Sequence, residues 1–194
     1  MSKERLITKD NIKRFANFSK EIKIMASDSD DVIYITTFYG VFALNKDRTL
    51  KLVEKFNESE ESKKAGRKLS IENKKDKITG MTTWETVDKL RSAKDILDFM
   101  EKNSFTPAEA PYETSTLDAW GDPAYRVKLK DSTIGYLFRG EFINYLSLLL
   151  GKDINYSINE FESKKDGASS ALLAAESPNG KAYILGLTHS RSEE

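Results

Sequence analysis

Apolar residues recur at two different spacings along the chain, and each spacing predicts a kind of element. Within Lys9–Lys20, Ile12 and Phe15 belong to a set repeating every three or four residues, as in an amphipathic helix. The period shortens to two in 22–26, and a run rich in β-branched and aromatic residues follows in 32–44. The first quarter is therefore predicted to be a helix followed by an antiparallel meander.

The middle of the chain has a more mixed pattern. Asn45–Arg48 consists of turn-forming and charged residues, and Leu50–Val53 is then predicted to be a further short apolar run of the meander. Charged and small residues dominate 57–77, which indicates an exposed insertion. Helical spacing returns in Thr86–Lys102, a second predicted amphipathic helix. The aperiodic, proline-containing segment 105–116 is predicted to be a linker or loop.

The last third resembles the first in outline. Tyr125–Lys130 alternates like a strand, and Gly135–Leu150 is apolar around much of its circumference, so we predict a buried helix there. Alternation resumes in 154–158, and Asn179–Gly180 separates two further apolar runs, 171–175 and 181–187, as the turn of a hairpin. A helix followed by three strands thus occurs at both ends, which is the nearest feature to an internal repeat.

These elements predict an α+β fold in which antiparallel sheets pack against amphipathic helices in pseudo-repeated helix-strand-strand-strand units. The length of 194 residues is enough for one large domain or two small ones. We expect an N-terminal domain over 1–104, interrupted by the charged insertion 57–77. A linker over 105–116 would then lead to a C-terminal domain over 117–194.

The composition argues against several kinds of catalytic and metal-binding site. The chain has no cysteine and one histidine, His189, so disulfides, thiol nucleophiles, Cys-based metal sites and a Ser-His-Asp triad are not expected. Apolar runs fall far short of the roughly 20 residues that a membrane helix needs, and no signal peptide follows Met1. We therefore expect a cytoplasmic protein with no membrane partner, no enzyme activity, no catalytic or metal-binding residues and no cofactor.

Basic residues on the first predicted helix are the main candidates for a binding site. Lys9, Lys13 and Lys20 fall on the side opposite the apolar positions, with Arg14 beside them. Phosphates attract such a stripe, although an ordinary solvated helix face also carries lysines. The 31 basic residues are balanced by 31 acidic ones, which argues against a tight nucleic-acid binder. A protein that surrounds DNA with one basic face remains compatible with this balance.

The order of elements at the two ends of the chain resembles the sliding clamps of T-even-type phages. Residues 6–18 (LITKDNIKRFANF), 22–25 (IKIM) and the meander 32–44 are similar to the opening strand, helix and strands of that family. Its final helix, strands and polar tail are similar to 142–146 (FINYL), 153–158 (DINYSI), 165–168 (KDGA) and 181–190 (KAYILGLTHS). The segment 57–120 has no counterpart in the resemblance.

The resemblance implies a DNA polymerase processivity factor. A homo-oligomeric ring would encircle duplex DNA, contact its backbone without sequence preference, and tether a DNA polymerase after loading by a clamp loader, in the cytoplasm of a bacterial host. Sheet edges would close the ring, and Val41–Leu44 and Ala171–Ala175 are the edges predicted from their positions in the meanders. Arg139 and Lys152 are the basic residues near the ends of the last helix, which otherwise offers little to phosphate. The candidate DNA-binding residues are Lys9, Lys13, Arg14, Lys20, Arg139 and Lys152.

Two other classes of function remain open at this point. The lysines and the arginine between Lys63 and Lys77 could form a basic loop of a non-enzymatic nucleic-acid accessory protein. Alternatively, the sheets could serve a protein–protein interaction or inhibitor module that makes no contact with nucleic acid. The oligomeric state and the salt dependence of DNA binding would separate these classes.

Overall fold

A computed structural model of the chain describes residues 9–18, 22–26, 31–37, 39–66, 68–69, 72–73, 97–98, 100–118, 121–162, 169–187 and 192–193. These residues form a mixed fold of helices and mostly antiparallel strands, which confirms the α+β class. Its helices are α1 (Lys9–Phe18), α2 (Lys46–Glu58), α3 (Glu60–Lys64) and α4 (Gly140–Leu150). Its strands are β1 (Lys23–Ala26), β2 (Val32–Thr36), β3 (Gly40–Asn45), β4 (Glu72–Asn73), β5 (Thr106–Ala108), β6 (Tyr112–Leu117), β7 (Pro123–Lys128), β8 (Ile134–Arg139), β9 (Asn155–Glu162), β10 (Ser169–Ser177), β11 (Gly180–Leu185) and β12 (Ser192–Glu193).

Two sheets contain these strands. The larger has eight strands in the order β4-β1-β2-β3-β11-β10-β9-β5, antiparallel except for the β1–β4 pair. Its central pair, β3 with β11, aligns Val41 with Tyr183 and so joins strands from opposite ends of the chain. The smaller sheet has the order β12-β8-β7-β6.

The main core lies between the inner face of the large sheet and the helices. Phe15 of α1 and Phe56 of α2 are fully buried and meet edge to face, with ring centroids 5.5 Å apart. Phe42 of β3 and Leu146 of α4 are buried in the same cluster. Each such side chain stabilises the fold by about 1.5–3 kcal/mol relative to its exposed form. Helix α1 also contacts α4, so the two helices are neighbours over this core.

A second, smaller apolar cluster lies on the other face of the large sheet. We call its buried sheet residues the outer-face patch and the segment that covers them, residues 97–98 and 100–105, the strap. Residues 97, 98, 100 and 101 of the strap are helical. The patch consists of Tyr34, Val41, Ala43, Leu172, Ala174 and Tyr183, and the strap contributes Leu97, Met100 and Phe105.

Several predicted elements are present. Helix α1, strands β1 to β3 and strand β7 lie where the spacing of apolar residues predicts them. The predicted hairpin is β10 and β11, which close at the pair Ser177 and Gly180. Gly180 has a φ of +143°, and a Cβ there would collide with the carbonyl oxygen of Ala43 on β3. Of the helix predicted over Thr86–Lys102, most residues lie outside the described part, and the division into two domains stays a prediction.

The prediction of a turn and an apolar run over 45–53 is wrong, because helix α2 occupies this segment. Asn45 is the N-cap: its side-chain oxygen accepts a hydrogen bond from the backbone N–H of Arg48 at 3.2 Å. Residues that favour turns also favour helix N-caps, for the same reason that their side chains bind nearby backbone groups. Thr49, Leu52, Val53 and Phe56 form the buried side of α2.

Three further predictions are corrected. The expected linker over 105–116 contains β5 and most of β6, both of which lie at ends of sheets, where a proline such as Pro107 of β5 is tolerated. The helix predicted from Gly135 begins at Gly140, because β8 runs directly into α4 and their apolar residues merge into one run. The predicted edges Val41–Leu44 and Ala171–Ala175 are interior, since β3 and β10 each have a strand on both sides.

Candidate nucleic-acid interface

Helix α1 turns two of the predicted basic residues toward solvent. Lys13 and Arg14 are exposed, whereas Ile12, Phe15 and Ala16 are buried against the core. This division follows from the 3.6-residue period, which places 12, 15 and 16 on one side of the helix. Lys9 begins α1, but its side chain lies outside the described part of the structure, as does the whole of Lys20.

The hydroxyl of Tyr125 belongs to a polar group formed by β6, β7 and α4. The Tyr125 hydroxyl is 3.3 Å from both Glu113 Oε2 and Asn144 Oδ1. Burial raises the pKa of Tyr125, the charge of Glu113 raises it further, and the positive charge of Arg14 opposes both. Helix α1 contacts α4, the helix that carries Asn144.

Helix α4 adds two neutral polar residues. Asn144 and Ser147 are exposed on a helix whose other residues are otherwise buried or half-buried. They are three residues apart and therefore lie on the same side. Together with Lys13 and Arg14 they define what we call the α1–α4 surface. Two cations and two uncharged hydrogen-bonding groups are suited to contacting phosphate and sugar, which carry no sequence information themselves.

Arg139 has a different environment from the other candidates. Its Nε is 3.3 Å from Asp118 Oδ2 and its Nη2 is 3.7 Å from Glu141 Oε2. The guanidinium also lies 5.0 Å from the ring centre of Tyr39 and 5.5 Å from that of Phe142. Its side chain is only 11% exposed and that of Asp118 only 1%. This pair joins the start of α4 to the end of β6, which leaves little of Arg139 for a phosphate.

Lys152 lies beyond the opposite end of α4. It is exposed and follows Gly151, the residue that ends the helix. An eleven-residue helix is about 16 Å long, so Arg139 and Lys152 are separated by the length of α4. The structure therefore exposes the consecutive residues Lys13 and Arg14 on α1, and it places Arg139 and Lys152 at opposite ends of α4.

The alternative basic loop is only partly described. Lys63, Lys64 and Lys68 are exposed, but Lys63 Nζ lies 2.6 Å from Glu60 Oε1. That hydrogen bond and the charge of Lys63 lower the pKa of Glu60. Local neutralisation reduces what Lys63 offers to a phosphate. The other basic residues of 57–77 lie outside the described residues.

Neither a metal-binding cluster nor a membrane-spanning helix occurs in the described part of the chain. No group of three or more His, Cys, Asp or Glu side chains among these residues could hold a metal ion. None of their helices has the length and apolar character needed to cross a bilayer.

Asn144, Ser147 and Tyr125 did not stand out in the sequence. The available signal was the presence of two polar residues at a three-residue spacing in an otherwise apolar helix. A buried helix with one polar stripe has that side facing solvent or a polar partner. Tyr125 gave no signal, because its hydroxyl meets Glu113 and Asn144 only in the folded chain.

Comparison of the chain with protein-family models, with curated proteins and with solved structures returned no match.

Proposed function

We propose that the protein is a subunit of a sliding-clamp-like processivity factor. Copies of the chain would form a ring around duplex DNA, contact its backbone without sequence preference, and tether a DNA polymerase after a clamp loader has opened the ring. In this mechanism the ring holds the polymerase topologically, so processivity does not require tight DNA binding. A chain with zero formal net charge is compatible with such weak contacts.

The strand order supports the repeated unit of this proposal. One strand of the central pair, β3, ends the set β1-β2-β3, and the other, β11, begins the set β11-β10-β9. Helix α1 precedes the first set in sequence and α4 precedes the second. Each half is thus a helix followed by three strands, and the two halves meet at their last strands.

The α1–α4 surface is the observation that carries the proposal. The two helices that begin the two halves contact each other, and together they expose Lys13, Arg14, Asn144 and Ser147. A helical layer with basic and neutral polar groups is what the inside of a DNA-encircling ring requires. Glu113 accepts a hydrogen bond from the Tyr125 hydroxyl next to this surface. Its negative charge therefore keeps the net positive charge of the α1–α4 surface modest.

The test uses linear duplex DNA carrying biotin at both ends. A ring threads over open ends and slides off again, whereas streptavidin added after threading traps it. We expect the wild-type protein to be retained only when the ends are blocked. Replacing Lys13 and Arg14 with Glu should reduce retention, and the slope of log affinity against log salt should fall by about one for each phosphate that the variant no longer neutralises.

The matched control is Lys63→Glu with Lys64→Glu, which changes charge by the same amount on α3. Retention of this control at the wild-type level supports the α1–α4 surface. Failure of the control alone to bind DNA would replace the proposal with the basic-loop hypothesis. Binding that is equal with open and blocked ends contradicts a topological mechanism. A monomer without DNA affinity would leave the interaction-module hypothesis.

A further inference from the structure

The turn between β10 and β11 contains the dipeptide Asn179–Gly180, which occurs once in the chain. An asparagine that precedes glycine is especially prone to lose its side-chain amide without an enzyme, because glycine has no side chain to hinder attack by its own backbone nitrogen. Whether the pair reacts, and what its reaction disturbs, depends on the contacts that the fold gives to these two residues.

The fold requires glycine at position 180. Gly180 has a φ of +143°, which residues with a side chain rarely adopt, and a Cβ there would collide with the carbonyl oxygen of Ala43 on β3. Gly180 also lies opposite Leu44 in the pairing of β11 with β3. A bulkier residue that would protect Asn179 therefore cannot replace Gly180 without moving the central pair of the large sheet.

The side chain of Asn179 holds the end of α4. Its Nδ2 donates to the backbone carbonyl oxygen of Leu150 at 2.8 Å, and the Ser177 hydroxyl donates to the same oxygen at 2.8 Å. Leu150 is the last residue of α4, and the last carbonyls of a helix have no partner within the helix. Asn179 thus supplies a hydrogen bond that α4 cannot supply for itself.

The backbone of Asn179 is held as well. Its N–H donates to the Ser177 hydroxyl at 3.1 Å, and its carbonyl oxygen accepts the backbone N–H of Asn45 at 2.9 Å. Asn45 is the N-cap of α2, so the turn joins the end of α4 to the start of α2. Attack on the side chain requires Asn179 to rotate, and these hydrogen bonds oppose that rotation.

We propose that Asn179 is a deamidation site, which reacts when the turn opens and whose product weakens the attachment of α4. The backbone nitrogen of Gly180 attacks Cγ of Asn179 and forms a cyclic imide. The Cγ–Nδ2 bond breaks, and the amide group leaves as ammonia with the proton of the Gly180 N–H. Water then opens the imide at either carbonyl and gives aspartate or isoaspartate, with no oxidation or reduction. This inference does not depend on the clamp proposal.

The product cannot make the contact that Asn179 makes. A carboxylate has no N–H to donate to Leu150, and its oxygens would face the carbonyl oxygen of that residue. It also adds a negative charge at the C-terminal end of α4, where the helix dipole is already negative. Isoaspartate in addition inserts a methylene group into the backbone of the turn. Both products therefore favour the open form of the turn.

Peptide mapping of the full chain tests the site. Trypsin cleaves after Lys165 and Lys181, and the peptide 166–181 contains Asn179 as its single asparagine. During incubation in mildly alkaline buffer, this peptide should show the mass gain of replacing NH₂ by OH before any other asparagine-containing peptide does. The other asparagines, none of which precedes glycine, are internal controls. Earlier modification of another asparagine would overturn the assignment.

The same incubation in guanidinium chloride measures how far the fold restrains the reaction. We expect Asn179 to react about tenfold faster in the unfolded chain, because in the folded chain it must first lose hydrogen bonds of modest strength. Equal rates would overturn the proposal, since the turn would then not restrain the reaction. Complete protection of the folded chain would also overturn it, since the turn would then open only with the whole molecule.

Two matched variants test the effect of the product on stability. Asn179→Asp should lower the folded-to-unfolded equilibrium constant, measured by urea denaturation, about tenfold, because the donor to Leu150 is lost. The control, Asn45→Asp, makes the same chemical change beside the turn. The Asn45 side-chain oxygen accepts a hydrogen bond from Arg48, which a carboxylate also does, so the urea midpoint should stay at the wild-type value.

Wild-type stability of Asn179→Asp would overturn the proposed weakening of α4. An equal loss of stability in both variants would overturn it as well, because added negative charge alone would then explain the effect. Deamidated wild-type protein, separated by its extra negative charge on an anion-exchange column, should lose at least as much stability as Asn179→Asp.

Discussion

At the scale of single residues, the Arg139–Asp118 pair has the clearest energetic consequence. Asp118 Oδ2 lies next to Arg139 Nε, and Asp118 Oδ1 accepts the backbone N–H of Asp122 at 3.1 Å. Asp118→Ala would leave the buried guanidinium without its nearest carboxylate and the turn without a hydrogen bond. We expect the free energy of unfolding, measured by urea denaturation, to fall by about 3–5 kcal/mol.

The control for this prediction is Glu54→Ala, which removes an exposed carboxylate from α2. It should leave the urea midpoint close to that of the wild type. An unfolding free energy for Asp118→Ala that matches the control would contradict the structural role given to the pair. The comparison separates loss of a buried counter-charge from a general effect of removing negative charge.

Residue types alone could predict part of the candidate site. The helical period was enough to place Lys13 and Arg14 on the solvent side of α1, because it depends only on local spacing. It could not reveal that Arg139 is paired, since Asp118 and Tyr39 are distant in sequence and meet it only in the folded chain. Nor could it associate Tyr125 with Asn144, which requires the packing of β7 against α4.

At the scale of elements, α4 provides the main test of packing. Leu146 lies in this helix with 1% of its surface exposed and belongs to the main core. Leu146→Ala should lower the free energy of unfolding by about 2–5 kcal/mol, through reduced apolar burial and the cavity left behind. Ser147→Ala, on the exposed side of the same helix, is the matched control and should be nearly neutral. Equal effects in the two variants would mean that the helix is rotated from the orientation described.

Elements were predictable where one period persisted over the whole element. Helix α1 and the β10–β11 hairpin satisfy this condition, the latter helped by its Asn-Gly turn. Helix α2 was missed because Asn45 suits a turn and a helix N-cap equally well. Strands β5 and β6 were missed because their residues do not alternate between apolar and polar, and only pairing with a neighbouring strand makes them regular. Five of the six residues of β6 are exposed, so it has no buried face that the sequence could reveal.

At the scale of the whole molecule, the strands at the ends of the two sheets determine how copies of the chain could pair with each other. Among the described strands, β6 is the longest that lies at an end of a sheet. Its exposed Tyr112 and Leu117 offer apolar contacts at this edge, and it carries no Lys, Arg or Pro, although an exposed Glu113 and a register irregularity between Glu113 and Leu117 interrupt it. If the proposed ring forms, we expect β6 to supply one side of the contact between copies.

Ser115→Lys with Leu117→Lys should therefore convert the oligomer to a monomer without changing the circular dichroism spectrum. The reason is that both side chains are exposed, so added charge acts on association and not on folding. Analytical ultracentrifugation of wild type and variant measures this directly. A wild-type protein that sediments as a monomer at high micromolar concentration would contradict both this contact and the homo-oligomeric ring.

The central pair of the large sheet also has a consequence for how the chain acquires its structure. Strand β3 leaves the ribosome long before β11, the neighbour that completes its hydrogen bonding. Contacts between such distant segments slow folding, because a long loop must close before they form. During translation β1 to β3 therefore remain an incomplete sheet, in which the backbone N–H and C=O groups of β3 that pair with β11 have no strand beside them. That interval is when the nascent chain is most exposed to wrong pairing, and it ends only when β11 arrives.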